Sequence, residues 1–389
     1  MVSRWSSPNP VVFGCGTSAR TGEFLKEFEC KKVIVIYDKG VEASAKKILA
    51  SIAAEGIDYV TFDGVQPDAP DVVVNEAAAL ARRENVDGVV AIGGGSAVDT
   101  GKGTCVLLTN DPPINKYFAR PSEPPACDVT HLKPIIVIPT TAGTGTEVTP
   151  GGAIADTTLN TKENVVCPTS LGIVDPELTL GLPKSSTIAT GIDAMCHAIE
   201  AFISNEPNCF SDLLAETGIS LIAQNLPKVV KDGSDLKARE NQMRAATMCA
   251  MSILGPYCNI GHDTGAVLCM EFPMVHGISV SCCLPEIMRF VAPSTPEKVS
   301  RILRCLGAEV PEGIDGEALG DLAYDTFKAF MKSVDYPNMK QFIPSREALL
   351  ATVPKIMETQ TFHFSPRHVE ESDIVTLFNQ MWDRNCAEA

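Results

Sequence analysis

Histidine is scarce in this chain, with six among 389 residues. Positive charge is also short: 32 Lys and Arg stand against 48 Asp and Glu, a formal net charge of −16. That balance excludes a nucleic-acid backbone as the natural partner, because phosphate binding needs clustered Lys and Arg. No uninterrupted apolar run approaches the roughly 18 residues that mark a membrane helix. The opening "MVSRWSSPNPVVFGCG" lacks the apolar core of a signal peptide, so a cytoplasmic location and no membrane partner are expected. Neither G-x-G-x-x-G nor G-x-x-x-x-G-K-[ST] occurs, so the commonest dinucleotide fingerprint and the Walker loop are both absent. The 14 cysteines include no C-x-x-C and only one adjacent pair, Cys282-Cys283. Spacing of that kind suits neither a zinc cluster nor a small disulfide scaffold. Residues such as Cys105 and Cys249 lie in apolar surroundings and read as small reduced hydrophobes.

What is present is ordinary globular material, 45% hydrophobic and 21% charged, in a chain long enough for two domains. Strand and helix signals alternate over the first half. "KKVIVIYDKG", "DYVTFDGV", "VDGVVAIGGGS" and "KPIIVIPTTAGTGTE" read as buried strands, with "VEASAKKILASIAAEG" and "DVVVNEAAALARREN" as helices between them. That order predicts a parallel, Rossmann-like α/β sheet covered on both faces. From about Ser185 the pattern changes. "SSTIATGIDAMCHAIEAFIS", "CFSDLLAETGISLIAQNLPKVV", "LKARENQMRAATMCAMSIL" and "SREALLATVPKIMETQ" all carry helical period. An α/β domain over 1–184 and an all-helical domain over 185–389 are expected.

Two turns rich in small residues stand at strand ends. Gly93, Gly94, Gly95 and Ser96 pass from a strand into a helix, whose free N–H groups suit an anion such as pyrophosphate. The same run also reads as a tight turn. Thr140, Thr141 and Thr144 place hydroxyls at the end of another strand, where ligands bind in open α/β sheets. Asp38 closes the strand "VIVIYD". It reads as the acid for an adenosine ribose, favouring NAD over NADP, or as a turn aspartate before Lys39-Gly40.

The histidines concentrate in the second half. Asp193 and His197 stand four apart in "TGIDAMCHAIEAF", one turn apart on one helix face. A buried carboxylate beside an imidazole needs a partner, and a plain Asp–His hydrogen bond would serve. His262 and His276 stand 14 residues apart. A straight helix would hold them roughly 21 Å apart, far beyond metal–nitrogen bonds of about 2 Å. Pro273 lies between them and breaks such a helix, so the chain can fold His276 back. One Asp and three His then form a nitrogen and oxygen donor set that suits Fe(II), Zn(II) or a similar divalent ion.

Together these pieces resemble the iron-containing (group III) alcohol dehydrogenase family. The resemblance runs through "GGGSAVDTGK", "PTTAGTGTE", "DPELTLGLP", "GIDAMCHAIEAF", the His262/His276 segment and "SPRHVEESDI". It implies a metal centre of Asp193, His197, His262 and His276, which are also the catalytic set. It implies NAD contacts from Asp38, Gly94, Gly95, Ser96, Thr140, Thr141, Thr144 and Lys162. It further implies Fe2+ (with Zn2+ or Mn2+ as alternatives), an active site in the cleft between the domains, and a homodimer or larger homo-oligomer. The expected reaction is hydride transfer between nicotinamide and a short-chain alcohol or aldehyde, with the metal as Lewis acid.

Two departures qualify the resemblance. Many members carry another histidine four residues after the third ligand, where this chain has Ala266. That leaves a smaller, less polar pocket wall. It also leaves the proton path open among water with a cofactor ribose hydroxyl, Asp263 and Thr264. The segment between Lys162 and Asp175 is shorter than the family's usual spacing, which weakens the Lys162 contact. Competing functions are a reductase of an anionic short aldehyde, such as sulfoacetaldehyde or a semialdehyde, and a hydroxyacid-oxoacid transhydrogenase. A dehydroquinate synthase-like lyase would need several Lys and Arg near the metal, and those segments are nearly devoid of them. A purely structural metal is the non-catalytic reading.

Overall fold

The computed structural model describes residues 5–7, 9–119, 127–206, 208–359 and 361–387. The chain divides into two compact units, Ser7–Leu182 and a second built from Pro183 onward.

The first unit is organised by a six-stranded sheet of β1 (Val11–Phe13), β2 (Lys32–Tyr37), β3 (Asp58–Phe62), β4 (Gly88–Gly93), β5 (Ile135–Pro139) and β8 (Leu171–Val174). Their spatial order is β1-β8-β5-β4-β2-β3, and every pairing is parallel. The strand sequences explain the two-sided cover. Side chains alternate between faces, and here both sets are apolar. Ile34, Ile36, Val89, Ile135 and Val137 meet Val73, Val74 and Ala77 of α3 (Asp71–Arg83) and Val98 and Val106 of α4 (Gly95–Thr109). On the other face, Val33, Val35, Val90, Ile92, Ile136 and Ile138 meet α1 (Thr21–Glu27) and α2 (Glu42–Ala54) through Leu25, Ile48 and Ile52.

Several elements of this unit go beyond the four strands and two helices expected, among them β1, α1 and a hairpin. β6 (Gly151–Asp156) and β7 (Thr161–Val166) form a separate antiparallel pair. β7 reads "TKENVV", too polar to announce itself as a buried strand.

The second unit is helical, with no strand among its described residues. Its centre is α5 (Lys184–Ile203), a helix exposed only near its start and buried continuously from Gly191 to its end. Such a helix belongs inside a core. Around it lie α6 (Cys209–Lys231), α7 (Leu236–Ser252), α8 (Ile260–Glu271) and α9 (His276–Ser281). The stretch "SREALLATVPKIMETQ" is two short helices, Arg346–Leu350 and Val353–Ile356, and not the single one its period suggests. Pro354 cannot donate to an upstream carbonyl, so a new helix starts around it. No helix among the described residues is long and apolar enough to cross a membrane. All 14 cysteines are free, with Cys105 and Cys249 buried as expected.

Candidate dinucleotide turn and metal centre

In the first unit, strand order decides which turns meet. β4 lies between β2 and β5, with Tyr37 opposite Ile92 and Gly93 opposite Pro139. The carboxyl ends of three adjacent strands therefore bring Asp38, the glycine turn and the threonine turn together. The Thr140 N–H donates to Gly93 O at 2.9 Å. A Cβ on Gly94 would stand 3.3 Å from Thr141 Cγ2, and one on Gly95 would stand 3.0 Å from Thr144 Cγ2. Gly93 has φ 149°, and a Cβ there would lie 2.6 Å from Ala97 Cβ and 3.2 Å from Asp38 Oδ2. Only glycine fits both that conformation and that space. Asp38 accepts from the Gly40 N–H at 2.7 Å and still presents its carboxylate over the turn. The turn and ribose readings of Asp38 are compatible. α4 begins at Gly95, so its free N–H groups open onto this junction.

Three further residues hold these turns. The Ser96 hydroxyl accepts from the Asp68 N–H at 3.0 Å, and the Asp68 carboxylate pairs with Lys162 Nζ at 2.9 Å. The hairpin lysine thereby reaches the glycine turn through Asp68. Lys102, to which the sequence reading assigned no role, is fully buried on α4. Its Nζ donates to the carbonyls of Thr146, Thr149 and Gly151 at 2.6, 2.9 and 2.7 Å, anchoring the threonine loop to the helix.

In the second unit, Asp193 and His197 lie one turn apart on α5, both buried. α8 ends at Glu271, the chain turns through Phe272–Val275, and α9 starts on His276. This break carries His276 back beside His262, with ring centroids 5.6 Å apart. Glycine permits the crossing. A Cβ on Gly277 would stand 2.0 Å from Ala189 O and 3.0 Å from Asp193 Cβ, and one on Gly265 would stand 2.5 Å from Val280 Cα. The three helices meet backbone to backbone at these points.

The donor atoms of Asp193, His262 and His276 all lie within 4.8 Å of one another. A second set with the same mutual spacing comprises His197, Cys258 and His262. His262 is common to both, and the His197 and His262 rings stack at 4.6 Å. The four expected residues are therefore gathered as two overlapping sets that share one ring. Cys258 was not expected.

Glu200 was also missed. It follows Asp193 by seven residues, so helical period places it on the same face of α5, and that signal was available. Its carboxylate lies 2.5 Å from His262 Nδ1 and accepts the N–H groups of Gly261 at 2.5 Å, Asn259 at 3.2 Å and His262 at 3.2 Å. Burial raises the pKa of Glu200, but the His262 charge and these hydrogen bonds outweigh it and hold the carboxyl below its usual range. With Glu200 occupying Nδ1, the free donor of His262 is Nε2, which lies 3.8 Å from Asp193 Oδ1. This is the carboxylate–histidine arrangement that orients a metal-binding ring.

Three donors test whether a cation fits. Asp193 Oδ1, His197 Nδ1 and His262 Nε2 are buried with no hydrogen-bond partner among the described residues. Buried polar atoms in a folded protein are almost always paired, and orphans of ligand type on three neighbouring residues fit a divalent ion. Burial pushes His197 down to about 4, with Asp193 opposing, so its ring is neutral at ordinary pH and keeps a lone pair. Burial works against charge on His262 as well, but Cys258 and Glu200 raise it well above the ordinary value. The same surroundings that favour positive charge on this ring favour a cation bonded to it.

The remaining positions resolve as follows. Ala266 lies one turn beyond His262, and His262, Ala266 and Met270 share a partly open face of α8. The Thr264 hydroxyl donates to Ile260 O and Gly261 O, both at 2.9 Å, and is spent on its own helix. Asp263 is buried and accepts from the Thr361 N–H at 3.3 Å. Burial pushes its pKa up to about 6, against the hydrogen bonds from Thr361 and Thr359.

Comparison with known proteins bears on both halves. Residues 8–176 match the family model described as iron-containing alcohol dehydrogenase, and 187–382 match the C-terminal model of the Fe-containing alcohol dehydrogenase family. A 1,3-propanediol dehydrogenase of Citrobacter freundii is 32% identical over 96% of this chain and 97% of its own length. An NAD-dependent methanol dehydrogenase of Bacillus methanolicus is 32% identical over 85% of this chain and 87% of its own. A crystal structure of a 1,3-propanediol oxidoreductase superposes with TM-score 0.91 at 29% identity, covering 98% of this chain and 100% of that one.

Proposed function

This chain belongs to the iron-containing alcohol dehydrogenase family, and from that premise we propose that it is a metal- and NAD(H)-dependent alcohol dehydrogenase or aldehyde reductase acting on a short-chain alcohol or aldehyde. The observation that carries the reading is the set of unpaired, buried donors on Asp193, His197 and His262, with His276 folded back against them. A bound divalent ion supplies Lewis-acid polarisation of the substrate oxygen, and the nicotinamide supplies or accepts hydride.

The chain's own residues do the positioning. Asp193, His197, His262 and His276 hold the ion, in the domain we assign to 185–389. Glu200 locks the His262 ring so that Nε2, and not Nδ1, faces the donors. In the domain assigned to 1–184, the N–H groups at Gly94, Gly95 and Ser96 take the pyrophosphate. Thr140, Thr141 and Thr144 border that turn, and Lys162 reaches it through Asp68. The Asp38 carboxylate accepts from the ribose hydroxyls and repels a 2′-phosphate. Ala266 leaves a methyl group on the open face beside His262, which suits a short, weakly polar substrate. Thr264 is excluded as a proton carrier because its hydroxyl is held by backbone carbonyls.

Replacing His262 with Ala tests this directly. Oxidation of NADH with short neutral and anionic aldehydes, in Fe(II)-, Zn(II)- and Mn(II)-loaded protein, should be lost, while NADH binding followed by fluorescence persists. Turnover surviving His262→Ala would refute the metal-based reading. A preference for anionic aldehydes in the panel would overturn the neutral substrate class.

A further inference from the structure

Cys258 stands just before Asn259, the residue that caps α8, and is half-buried. Its sulfur lies with the donor atoms of His197 and His262, all within 4.8 Å of one another. Zinc–sulfur and zinc–nitrogen bonds of about 2.3 and 2.1 Å at tetrahedral angles place two ligands of one ion about 3.5 Å apart. The group, with its donors within 4.8 Å of one another, closes by at most about 1.3 Å to share an ion. The second observation is His197 itself. It is only 7% exposed, and its Nδ1 has no hydrogen-bond partner.

We propose that Cys258 is a thiolate ligand of this centre, binding the same ion as His197 and His262 and giving the site a preference for zinc over manganese or ferrous iron. The inference rests on the metal reading above and extends it. His262 is the shared pivot of two donor sets. The Asp193 and His276 side offers only oxygen and nitrogen, which suits Fe(II) or Mn(II). The Cys258 side adds one soft donor, which favours Zn(II). On coordination the Cys258 S–H bond breaks, its proton leaves to solvent, and a sulfur–metal bond forms with no change of oxidation state. A thiolate there occupies a position that an open catalytic site would leave to substrate. The zinc form should therefore hold its metal tightly and turn over slowly.

Cobalt(II) is the probe, read by absorption and metal stoichiometry, not by turnover. The wild-type protein loaded with Co(II) should show a sulfur-to-cobalt charge-transfer band in the near ultraviolet beside its visible ligand-field bands. Cys258→Ser and Cys258→Ala should lose the first and keep the second. Cys269→Ser should keep both, although Cys269 Sγ lies 4.0 Å from His276 Nδ1. Competition between Zn(II) and Mn(II) should show the zinc preference falling at least about tenfold in Cys258→Ser, the low end of what even an outer partner contributes to metal affinity. A wild-type protein that binds cobalt with no sulfur band overturns the inference and leaves the metal centre standing. A band that persists in both Cys258 variants, or follows Cys269, does the same. A wild-type chain that binds no cobalt, or a His262→Ala variant that binds it equally well, overturns the underlying centre instead.

Discussion

Gly277 offers the sharpest test of how this centre is assembled. It follows His276 at the start of α9, and a Cβ there would stand 2.0 Å from the Ala189 carbonyl oxygen of α5. Ordinary contact begins at 3.4 Å, so Gly277→Ala demands 3.4 − 2.0 = 1.4 Å of separation. Both partners are backbone, so no rotamer change can absorb it. α9 must move away from α5, taking His276 from Asp193. Metal–ligand distances tolerate only about 0.2 Å, several times less than the shift. Overpacking of this kind costs about 1–3 kcal/mol. At about 2–4 °C per kcal/mol for a domain of this length, Tm should fall by about 2–12 °C. Metal affinity should fall at least about 100-fold, the upper end for loss of a supporting partner, while NADH binding at the glycine turn, which belongs to the other compact unit, is unchanged. Calorimetry, metal titration and NADH fluorescence read the three effects separately. Gly181→Ala is the control, since a Cβ there meets nothing within 4 Å. Wild-type metal affinity and an unshifted Tm in Gly277→Ala would show that the contact of α5 with α9 does not set the His276 position.

Two further outcomes follow from the site. Glu200→Gln keeps the shape but removes the charge that holds His262 Nδ1, so metal affinity should fall about 10- to 100-fold without loss of NADH binding. The Glu200 pKa is lowered on folding, so its contribution to stability is present above the usual carboxylate value and is lost as pH falls through and below it. The variant's Tm should therefore fall less between neutral and acid pH than the wild type's, and parallel curves would refute the assignment. Asp38→Ala removes the carboxylate that stands over the glycine turn, so discrimination against NADPH should relax in steady-state kinetics. Wild-type preference for NADH after that change would place ribose recognition elsewhere.

Much of this was legible in the chain because the signals are local. Four apolar runs with both faces hydrophobic specify buried parallel strands, since a strand shows its alternate residues to opposite sides. The spacing of Asp193 and His197 specifies a shared helix face, and Pro273 specifies a break between His262 and His276. What eluded the reading depends on partners distant in sequence or on weak local signals. The pair β6 and β7 carries too little apolar surface to stand out. The role of Lys102 depends on three carbonyls more than 40 residues away.

Sequence by itself determined the main strands and helices, their class, and the Asp, His and glycine positions able to bind a cation or an anion. Tertiary structure alone decided the rest. It set β4 between β2 and β5, so that Asp38 and Thr140 flank one glycine turn. It turned Glu200 onto His262. It brought α5, α8 and α9 to backbone contact at Gly265 and Gly277, and it placed Cys258 among the histidines. The physical reason is that periodicity along a chain reports which face a side chain occupies. The distance between faces is set by whatever packs between them, and at Gly277 nothing does.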